Sequence, residues 1–321
     1  MHKKIKLSNV KFSSWGGYLP SRKFTNEDMS QFVETSDEWI VQRTGITQRF
    51  FAKDDEYTSD LALNTALISL KGRNHVDGII VATTTPDLTF PSTACILQRK
   101  LQEKGITSNF AFDIQAVCAG FIFAIANAYS HINTGLAKSI LVVGADTLSR
   151  ILDFTDRTTC VLFGDGAGSC IVEESDNEKS GIITASLHSD GTYTEILKTT
   201  GGVSQKGTGF LTMQGQDVFK HAVSKMHASI EELMEKTDIT KEEIDFIVPH
   251  QANARILDAI AKRMEIPEEK FIKTIQKHAN TSSATIPLAM WEEKSKFKEG
   301  DLIILEALGG GLTWGGVVFK Y

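Results

Sequence analysis

The sequence is poor in cysteine and has no long hydrophobic run, and each shortage excludes a class of protein. Its four cysteines form no C-x-x-C pair and lie at Cys95, Cys118, Cys160 and Cys170. Cysteines so few and so scattered predict neither a disulfide framework nor a zinc site. The longest unbroken apolar run, over 117–126, is about half of the length that spans a bilayer. We therefore expect a globular protein with reduced thiols and no membrane insertion.

Charge of one sign is not in large excess either. The chain has 34 Lys and Arg against 40 Asp and Glu, which gives a formal net charge of −6. This balance argues against a general nucleic-acid binder. The first residues, 1–6, carry charge but are followed by neither an apolar segment nor a small-residue cleavage site. We therefore expect the protein to be cytoplasmic.

The chain repeats one order of predicted elements. A strand, a helix, a strand, an abrupt turn into a helix and a further strand follow one another in 77–139 and again in 245–301. This order predicts a duplicated α/β fold with mostly parallel strands and helices on both faces. The pattern restarts at Gly181 without a Pro/Ser-rich linker. We therefore place the two halves at 1–178 and 179–321.

Several single segments carry predictions of their own. The apolar patterns of 4–14 and 270–275 each predict a strand. The glycine run 164–168 lacks the G-x-G-x-x-G spacing and leads into a strand, which favours a tight turn between antiparallel strands over a nucleotide loop. Thr35 and Glu38 have the spacing of a capping box, and they predict a helix that ends at Gly45.

Cys118 lies where a short buried strand turns into a helix with no charged residue before Lys138. A helix that is apolar on all sides belongs in the interior of a protein. Free N–H groups and the helix dipole at such a start favour negative charge, so we expect a lowered thiol pKa and a nucleophilic thiolate. The alternative is a small core residue, which is a common role of unpaired cysteine.

Two polar residues hold corresponding places in the second half. His250 ends a predicted buried strand, where ligand sites of such sheets usually lie, and Asn280 opens the helix that corresponds to the Cys118 helix. Alone, they could be a strand-end residue and a helix cap. If the halves pack around a pseudo-twofold axis, the three meet, and Cys, His and Asn together indicate covalent acyl chemistry. The run 309–311 is all glycine and offers N–H groups to an oxyanion.

Two classes of enzyme use Cys, His and Asn in this chain order. A papain-like protease would place C-G-[SA]-C-[WY] around the nucleophile, and Cys118 lacks those neighbours. The duplicated α/β pattern is also wrong for that class. The second class performs decarboxylating Claisen condensation.

The chain resembles the β-ketoacyl-[acyl carrier protein] synthase III family of the thiolase-like superfamily along essentially its whole length. Several motifs match in register, which makes the resemblance specific. They are Thr-Ser-Asp-Glu-Trp-Ile at 35–40, Arg-Thr-Gly-Ile at 43–46, Ala-Val-Cys-Ala-Gly-Phe at 116–121, Phe-Gly-Asp-Gly-Ala-Gly at 163–168, Val-Pro-His-Gln-Ala-Asn at 248–253, Asn-Thr-Ser-Ser-Ala at 280–284 and Gly-Gly-Gly-Leu-Thr-Trp-Gly at 309–315. Two residues depart from the pattern: Ala279 replaces the usual Gly before the Asn, and Gln115 precedes the nucleophile turn.

The resemblance implies a fold and a mechanism. The fold is thiolase-like, with two βαβαβ-type halves packed as a five-layered α-β-α-β-α sandwich. Cys118 takes a short acyl group from acyl-CoA, and His250 and Asn280 assist decarboxylation of malonyl-[acyl carrier protein]. Backbone N–H groups of Cys118 and Gly310 hold the oxyanion. Acyl-CoA is a substrate, and no metal or other cofactor is implied.

The resemblance also implies binding residues. Without the resemblance, the sequence around Trp39 would predict only an ordinary surface helix. The implied CoA contacts are Thr35, Trp39, Arg43, Arg157 and Asn253. Phe90 would enter the acyl pocket of a partner in a homodimer, and Arg255, Lys262 and Arg263 would dock the acidic carrier protein. The alternatives are a related enzyme of a secondary pathway, with another starter or a CoA-bound extender, and a non-enzymatic acyl-binding protein, which would have lost Cys118, His250 or Asn280.

Overall fold

The computed structural model describes residues 9–177 and 179–321. The expectation about targeting therefore falls on residues outside the described part, as do the first residues of the strand predicted over 4–14. The rest of that strand belongs to Val10–Tyr18.

Thirteen strands and ten helices lie in the described residues. The strands are β1 Val10–Tyr18, β2 Arg22–Thr25, β3 Gln48–Phe51, β4 Gly78–Ala82, β5 Phe110–Ile114, β6 Ser139–Asp146, β7 Gly166–Glu174, β8 Gly181–Ser189, β9 Leu197–Thr199, β10 Leu211–Met213, β11 Phe246–Pro249, β12 Leu302–Gly309 and β13 Thr313–Lys320. The helices are α1 Asn26–Met29, α2 Asp37–Thr44, α3 Thr58–Ser69, α4 Thr93–Gln102, α5 Gly120–Asn133, α6 Arg157–Cys160, α7 Gly215–Thr237, α8 Ala254–Met264, α9 Ile275–His278 and α10 Thr285–Glu292.

Two sheets, one from each half of the chain, form the core of the fold. The first has the order β1-β7-β6-β4-β5, and the second has the order β11-β12-β13-β8. Strand β4 pairs in parallel with β5 and β6, and β11 pairs in parallel with β12. The remaining pairs within these two sheets are antiparallel. The sheets are therefore mixed, with the parallel strands where helices cross over.

The helices and the two sheets form five layers. Helices α5 and α10 contact strands of both sheets, so they form the middle layer. Helices α3 and α4 cover the outer face of the first sheet. Helices α7 and α8 cover the outer face of the second, where Ile256 and Ile260 pack with Ile247 and Ile304. The predicted interior position of α5 is confirmed, because Phe121, Ile122 and Ile125 are fully buried.

An aspartate at the same place in each half shows the duplication at the level of single hydrogen bonds. Asp77 precedes β4, and its Oδ2 accepts from the backbone N–H groups of Lys138 (2.7 Å) and Ser139 (3.0 Å). Asp245 precedes β11, and its Oδ2 accepts from the N–H of Leu302 (2.8 Å). In both halves, the carboxylate thus fixes the start of the neighbouring parallel strand.

The prediction of a tight turn at 164–168 is wrong, because β7 already begins at Gly166. Its glycines allow close packing instead. A Cβ at Gly168 would lie 2.7 Å from Cγ of Pro287, and one at Gly144 of β6 would lie 2.3 Å from the carbonyl oxygen of Ser283. The first sheet thus lets α10 and the turn before it approach closely. This approach carries the Asn280 segment to the middle of the molecule.

The prediction of a strand over 270–275 is also wrong. Phe271 forms a single bridge with Ile247, and α9 begins at Ile275. The second half thus has one regular strand fewer than the repeat predicts.

Candidate active site

The three residues predicted to carry the chemistry, Cys118, His250 and Asn280, line one cavity of about 690 Å³. Cys118 lies in the 3₁₀ turn Val117–Ala119 between β5 and α5, His250 follows β11, and Asn280 precedes the 3₁₀ turn Ser282–Ala284. They are 5%, 2% and 6% exposed. Three separate chain segments therefore present a thiol, an imidazole and an amide to the same enclosed space.

The turn that carries Cys118 is held in a strained conformation. Val117 has a φ of 49°, which is unfavourable for a β-branched residue. The end of β12 lies directly against it, since a Cβ at Gly309 would be 2.7 Å from the backbone nitrogen of Cys118. Glycine is therefore required there. The first glycine of the run 309–311 thus fixes the position of Cys118 by close contact of the two backbones.

The expected lowering of the Cys118 pKa is wrong. Burial raises the pKa of the thiol to about 12, and the charge of Asp146 adds to this effect. The hydroxyl of Ser282 beside the sulfur offsets only part of it. Desolvation dominates because Cys118 is buried, with strands β12 and β13 packed against its turn. Without a ligand in the cavity, Cys118 is therefore a neutral thiol at physiological pH.

Asp146 at the end of β6 is a fully buried carboxylate that the sequence reasoning did not identify. Its Oδ1 accepts from the N–H of Thr84 (2.7 Å) and from the hydroxyls of Thr83 and Thr85 (both 3.2 Å). Its Oδ2 accepts from the hydroxyl (2.7 Å) and the N–H (3.2 Å) of Ser283. The carboxylate therefore ties the loop after β4 to the turn that follows Asn280. An acidic residue at the end of an apolar strand was the signal that could have found it.

His250 contacts a second residue that sequence reasoning missed. Its Nδ1 lies 2.7 Å from Oγ1 of Thr285, which is fully buried. Its backbone N–H donates to the carbonyl oxygen of Glu306 (2.7 Å), which anchors the residue beside β12. Burial lowers the pKa of His250 to about 3. The ring is therefore a neutral imidazole at physiological pH.

The amide of Asn280 is oriented by its own loop. Its Oδ1 accepts from the N–H of Ser282 (2.8 Å), so the NH₂ end is left for a ligand in the cavity. The preceding Ala279 has φ 61° and ψ −164°, a region that is essentially restricted to glycine. The departure from the family pattern at this position is therefore accommodated with backbone strain, directly before a predicted chemical residue.

Comparison with known proteins places the chain in a family. The family model for 3-oxoacyl-[acyl-carrier-protein (ACP)] synthase III matches residues 112–191, and the model for the C terminal of that synthase matches 234–321. The β-ketoacyl-[acyl-carrier-protein] synthase III of Ehrlichia canis is 50% identical over 307 residues, which cover 94% of this chain and 95% of the relative. The chain belongs to the β-ketoacyl-[acyl-carrier-protein] synthase III family.

Solved structures agree with this placement. The 3-oxoacyl-[acyl-carrier-protein] synthase III of Aquifex aeolicus is 44% identical with a TM-score of 0.91, and the match covers 97% of this chain and all of that one. The priming β-ketosynthase of the R1128 polyketide pathway is 27% identical with a TM-score of 0.90, covering 99% and 98%. The fold is thus thiolase-like. As a synthase III, the chain is an acyltransferase, the condensing enzyme that initiates type II fatty acid synthesis.

At the mouth of the synthase III cavity, two guanidinium groups flank one indole. Arg43 and Arg157 lie 4.9 and 4.6 Å from the ring centroid of Trp39. Arg157 also donates to the carbonyl oxygen of Glu34 (2.8 Å), and Arg43 lines the cavity. Three of the residues predicted to bind CoA therefore form one cluster, in which a half-buried indole lies between two exposed arginines.

The other two predicted CoA contacts, Thr35 and Asn253, differ in their hydrogen bonds within the protein. Ser36, and not Thr35, caps helix α2, because its hydroxyl accepts from the N–H of Trp39 (3.1 Å). The predicted end at Gly45 is confirmed. In the described part of the chain, no group hydrogen-bonds to the buried hydroxyl of Thr35. Asn253 caps α8 through Oδ1, and its amide donates to the carbonyl oxygen of Arg43 (3.2 Å).

Beyond Cys118, a second cavity of about 380 Å³ extends away from the mouth. It is lined by Cys118 and Gly310 and by apolar side chains, namely Leu148, Ile151, Leu197 and Leu211. It shares Gln115 and Thr199 with a surface cavity of about 830 Å³ that Leu88 and Val203 border. Phe90 follows Thr89, which lines this surface cavity, and it is 82% exposed.

The basic residues predicted to dock a carrier protein lie on α8. Arg255, Lys262 and Arg263 are all exposed, and Arg255 also lines the first cavity. Asp258 lies between them on the helix, and its Oδ1 forms an ion pair with Nζ of Lys273 at 2.6 Å. The patch therefore keeps its positive charge beside the entrance.

The described part of the chain contains neither a cluster suited to a metal ion nor a helix suited to span a membrane. Over residues 9–177 and 179–321, no group of three or more His, Cys, Asp or Glu side chains could hold a metal ion. Among the helices of the same residues, none is long and apolar enough to cross a bilayer.

Proposed function

We propose that this synthase III transfers a short acyl group, such as acetyl, from acyl-CoA to Cys118. It then condenses that group with malonyl-[acyl carrier protein] to give 3-oxoacyl-[acyl carrier protein], CO₂ and CoA. One observation carries the proposal: a thiol, an imidazole and an amide from three segments share a buried cavity that continues past the sulfur into an apolar one. The first cavity would hold the pantetheine arm and the second the acyl chain.

In the first half-reaction, Sγ of Cys118 attacks the thioester carbonyl carbon. The S–C bond to the enzyme forms, the S–C bond to CoA breaks, and the thiol proton leaves with CoA. Backbone N–H groups of Cys118 and Gly310 would hold the oxyanion. Because burial raises the pKa of the thiol to about 12, Sγ would lose its proton in the course of its attack on the thioester.

In the second half-reaction, loss of CO₂ from the malonyl group leaves an enolate on the thioester oxygen. His250 and Asn280 each donate one hydrogen bond to that oxygen. Preorganised donors of this kind typically contribute about 3–4 kcal/mol each. The carbanion then attacks the acyl carbon on Cys118, the thiolate is expelled, and it takes up one proton. None of these steps needs a resident metal or cofactor.

The surface features supply the proposed partners. Trp39, Arg43 and Arg157 would hold the adenine and phosphates of CoA, and the exposed cations of α8 would attract the acidic carrier protein, mainly by raising the rate of encounter. Thr35 and Asn253 would complete the CoA site. The exposed apolar residues around the surface cavity support a homodimer in which Phe90 enters the partner's acyl pocket. We place the enzyme in the cytoplasm, without a nucleic-acid or membrane partner.

A second candidate is a secondary-pathway enzyme with another starter or a CoA-bound extender. The same fold in a polyketide priming enzyme supports this candidate. However, the chain is 27% identical to that enzyme and 50% identical to the synthase III of Ehrlichia canis, which favours the fatty acid role. Comparing malonyl-[acyl carrier protein] with malonyl-CoA as productive extender separates the two.

The test is intact-protein mass spectrometry after separate mixing with acetyl-CoA, butyryl-CoA and octanoyl-CoA. We expect one acyl adduct per chain on the wild type and none on Cys118→Ala, with Cys95→Ala as a matched control that keeps the adduct. His250→Ala should keep acylation and lose malonyl decarboxylation. An adduct that depends on Cys95, or condensation at near wild-type rate in His250→Ala, would contradict the assignment.

A further inference from the structure

The contact between His250 and Thr285 is short for a hydrogen bond donated by a ring nitrogen. The Nδ1 to Oγ1 distance is 2.7 Å, whereas N–H donors usually lie about 2.9–3.0 Å from an oxygen and hydroxyl donors about 2.7–2.8 Å. Both side chains are at least 98% buried. The distance therefore fits a hydroxyl that donates to an unprotonated Nδ1.

The other neighbour of the hydroxyl does not compete strongly for its proton. Oγ1 of Thr285 lies 3.1 Å from the carbonyl oxygen of Ser282, the longer of its two contacts. That carbonyl already accepts from the backbone N–H of Thr285. The proton can thus point to His250 without leaving a buried carbonyl unpaired.

The position of one proton decides what His250 can do. A neutral imidazole carries a proton on one nitrogen only, so an unprotonated Nδ1 leaves the proton on Nε2. In that form, Nε2 donates a hydrogen bond and does not accept a proton. The reverse form would offer a lone pair to the substrate oxygen, which repels the developing negative charge.

We propose that Thr285 is a positioning residue that fixes the proton of His250 on Nε2 and so makes the ring a hydrogen-bond donor. The inference rests on the proposed function, because decarboxylation is the step that needs the donor. It adds that acylation of Cys118 does not depend on Thr285. The two half-reactions should therefore respond differently to the loss of one hydroxyl.

Two substitutions at Thr285 and one nearby control test the proposal. Thr285→Val removes the hydroxyl at nearly constant shape, and Thr285→Ser retains it. Thr281→Val is the matched control, since Thr281 is equally buried and its hydroxyl has no hydrogen-bond partner among the described residues. We expect Thr285→Val to lower malonyl decarboxylation about 10- to 100-fold, a fraction of the loss of a whole donor. Its acylation by acetyl-CoA should stay within about twofold, and Thr285→Ser should recover most of the decarboxylation.

The protonation state can be read without turnover. In ¹⁵N-histidine-labelled wild type, with His250→Gln used for assignment, Nε2 should have the shift of a protonated nitrogen and Nδ1 that of an unprotonated one. Thr285→Val should shift the ring towards a mixture of the two forms, and Thr281→Val should not. If Thr285→Val does not fold, the wild-type spectrum and Thr285→Ser still decide.

The outcomes separate the two proposals. A wild type without an acyl adduct would overturn the proposed function and leave the assignment of the ring proton standing. A wild type that is acylated but has its proton on Nδ1 would overturn the role of Thr285 and the donor role of His250, and would leave acyl transfer to Cys118 standing. Equal decarboxylation in Thr285→Val and Thr281→Val would overturn the role of Thr285 alone.

Discussion

Two completely buried carboxyl groups, Asp146 in the first half of the molecule and Glu306 in the second, have opposite surroundings. Asp146 of the first sheet accepts hydrogen bonds from two backbone N–H groups and three hydroxyls. Glu306 of the second sheet has one donor, the hydroxyl of Ser229 at 3.1 Å, and in the described residues its Oε1 has none. Burial raises the pKa of both carboxyls.

The difference shows what a buried acid costs and what it can do. Five donors and no acceptor fit an ionised carboxylate, so Asp146 acts as a charged tie between the two halves at the active site. Glu306 lies near Glu232, and the negative charge of Glu232 raises its pKa further. It fits a neutral carboxylic acid. Asp146 therefore depends on its charge, whereas Glu306 depends on remaining uncharged.

Replacing Asp146 should have the largest effect. Asp146→Asn keeps the shape of the side chain but turns an NH₂ group towards hydrogen-bond donors. The donors on that side of the side chain therefore lose their acceptor. We expect a loss of about 3 kcal/mol in the free energy of unfolding. We also expect slower condensation, because Ser283 and the neighbouring Asn280 lose their anchor. Urea denaturation followed by fluorescence measures the first effect, and 3-oxoacyl product formation the second.

Glu306→Gln is the matched control for this prediction, since it makes the same chemical change in the other half. It should cost less than about 1 kcal/mol at pH 6, because an uncharged group replaces an uncharged acid. Equal losses in the two variants would contradict the distinction between the carboxylates.

The response to pH should sharpen the comparison. The folded pKa of Glu306 is raised above its unfolded value, so its contribution to stability is fully present below pH about 4.5 and is lost as the pH rises through the folded pKa. The wild type should therefore lose stability relative to Glu306→Gln as the pH rises, by at most about 1.4 kcal/mol per pH unit. Melting temperatures of both proteins from pH 6 to 9 measure this. Parallel curves would show that Glu306 is ionised in the folded state.

The sequence predicted the positions that follow from local pattern and from the duplication. Cys118 and His250 follow apolar segments, Asn280 opens the helix that corresponds to the Cys118 helix, and the repeat was enough to bring the three into one cavity. The partners of these residues were not predicted. Asp146 and Thr285 act through contacts between segments more than 30 residues apart, and no local spacing encodes such contacts.

Other errors have equally specific causes. The Cys118 pKa was predicted in the wrong direction because the helix dipole is local, whereas desolvation depends on the packing of β12 and β13 against the turn. The run 164–168 was predicted as a turn because a glycine that allows a turn has the same sequence signature as one that allows close packing. Only the approach of Pro287 to Gly168 separates the two.

The smallest expected effect concerns backbone strain in the second half. Ala279, at φ 61° and ψ −164°, occupies a region that costs of order 1–3 kcal/mol for a residue with a Cβ. Ala279→Gly removes this strain but also gives the unfolded chain more freedom, which costs about 0.4–1 kcal/mol. The net result should be a gain of about 1 kcal/mol in the free energy of unfolding, measured by urea denaturation.

Ala284→Gly supplies the control for that prediction, because Ala284 has an ordinary φ of −79° and is equally buried. The same substitution there should destabilise the protein by about 1 kcal/mol. Opposite signs at two alanines five residues apart would show that conformation, and not the loss of a methyl group, decides the outcome. A loss of stability in both variants would mean that the Asn280 loop holds Ala279 without strain, and the departure from the family's glycine would then have no energetic cost.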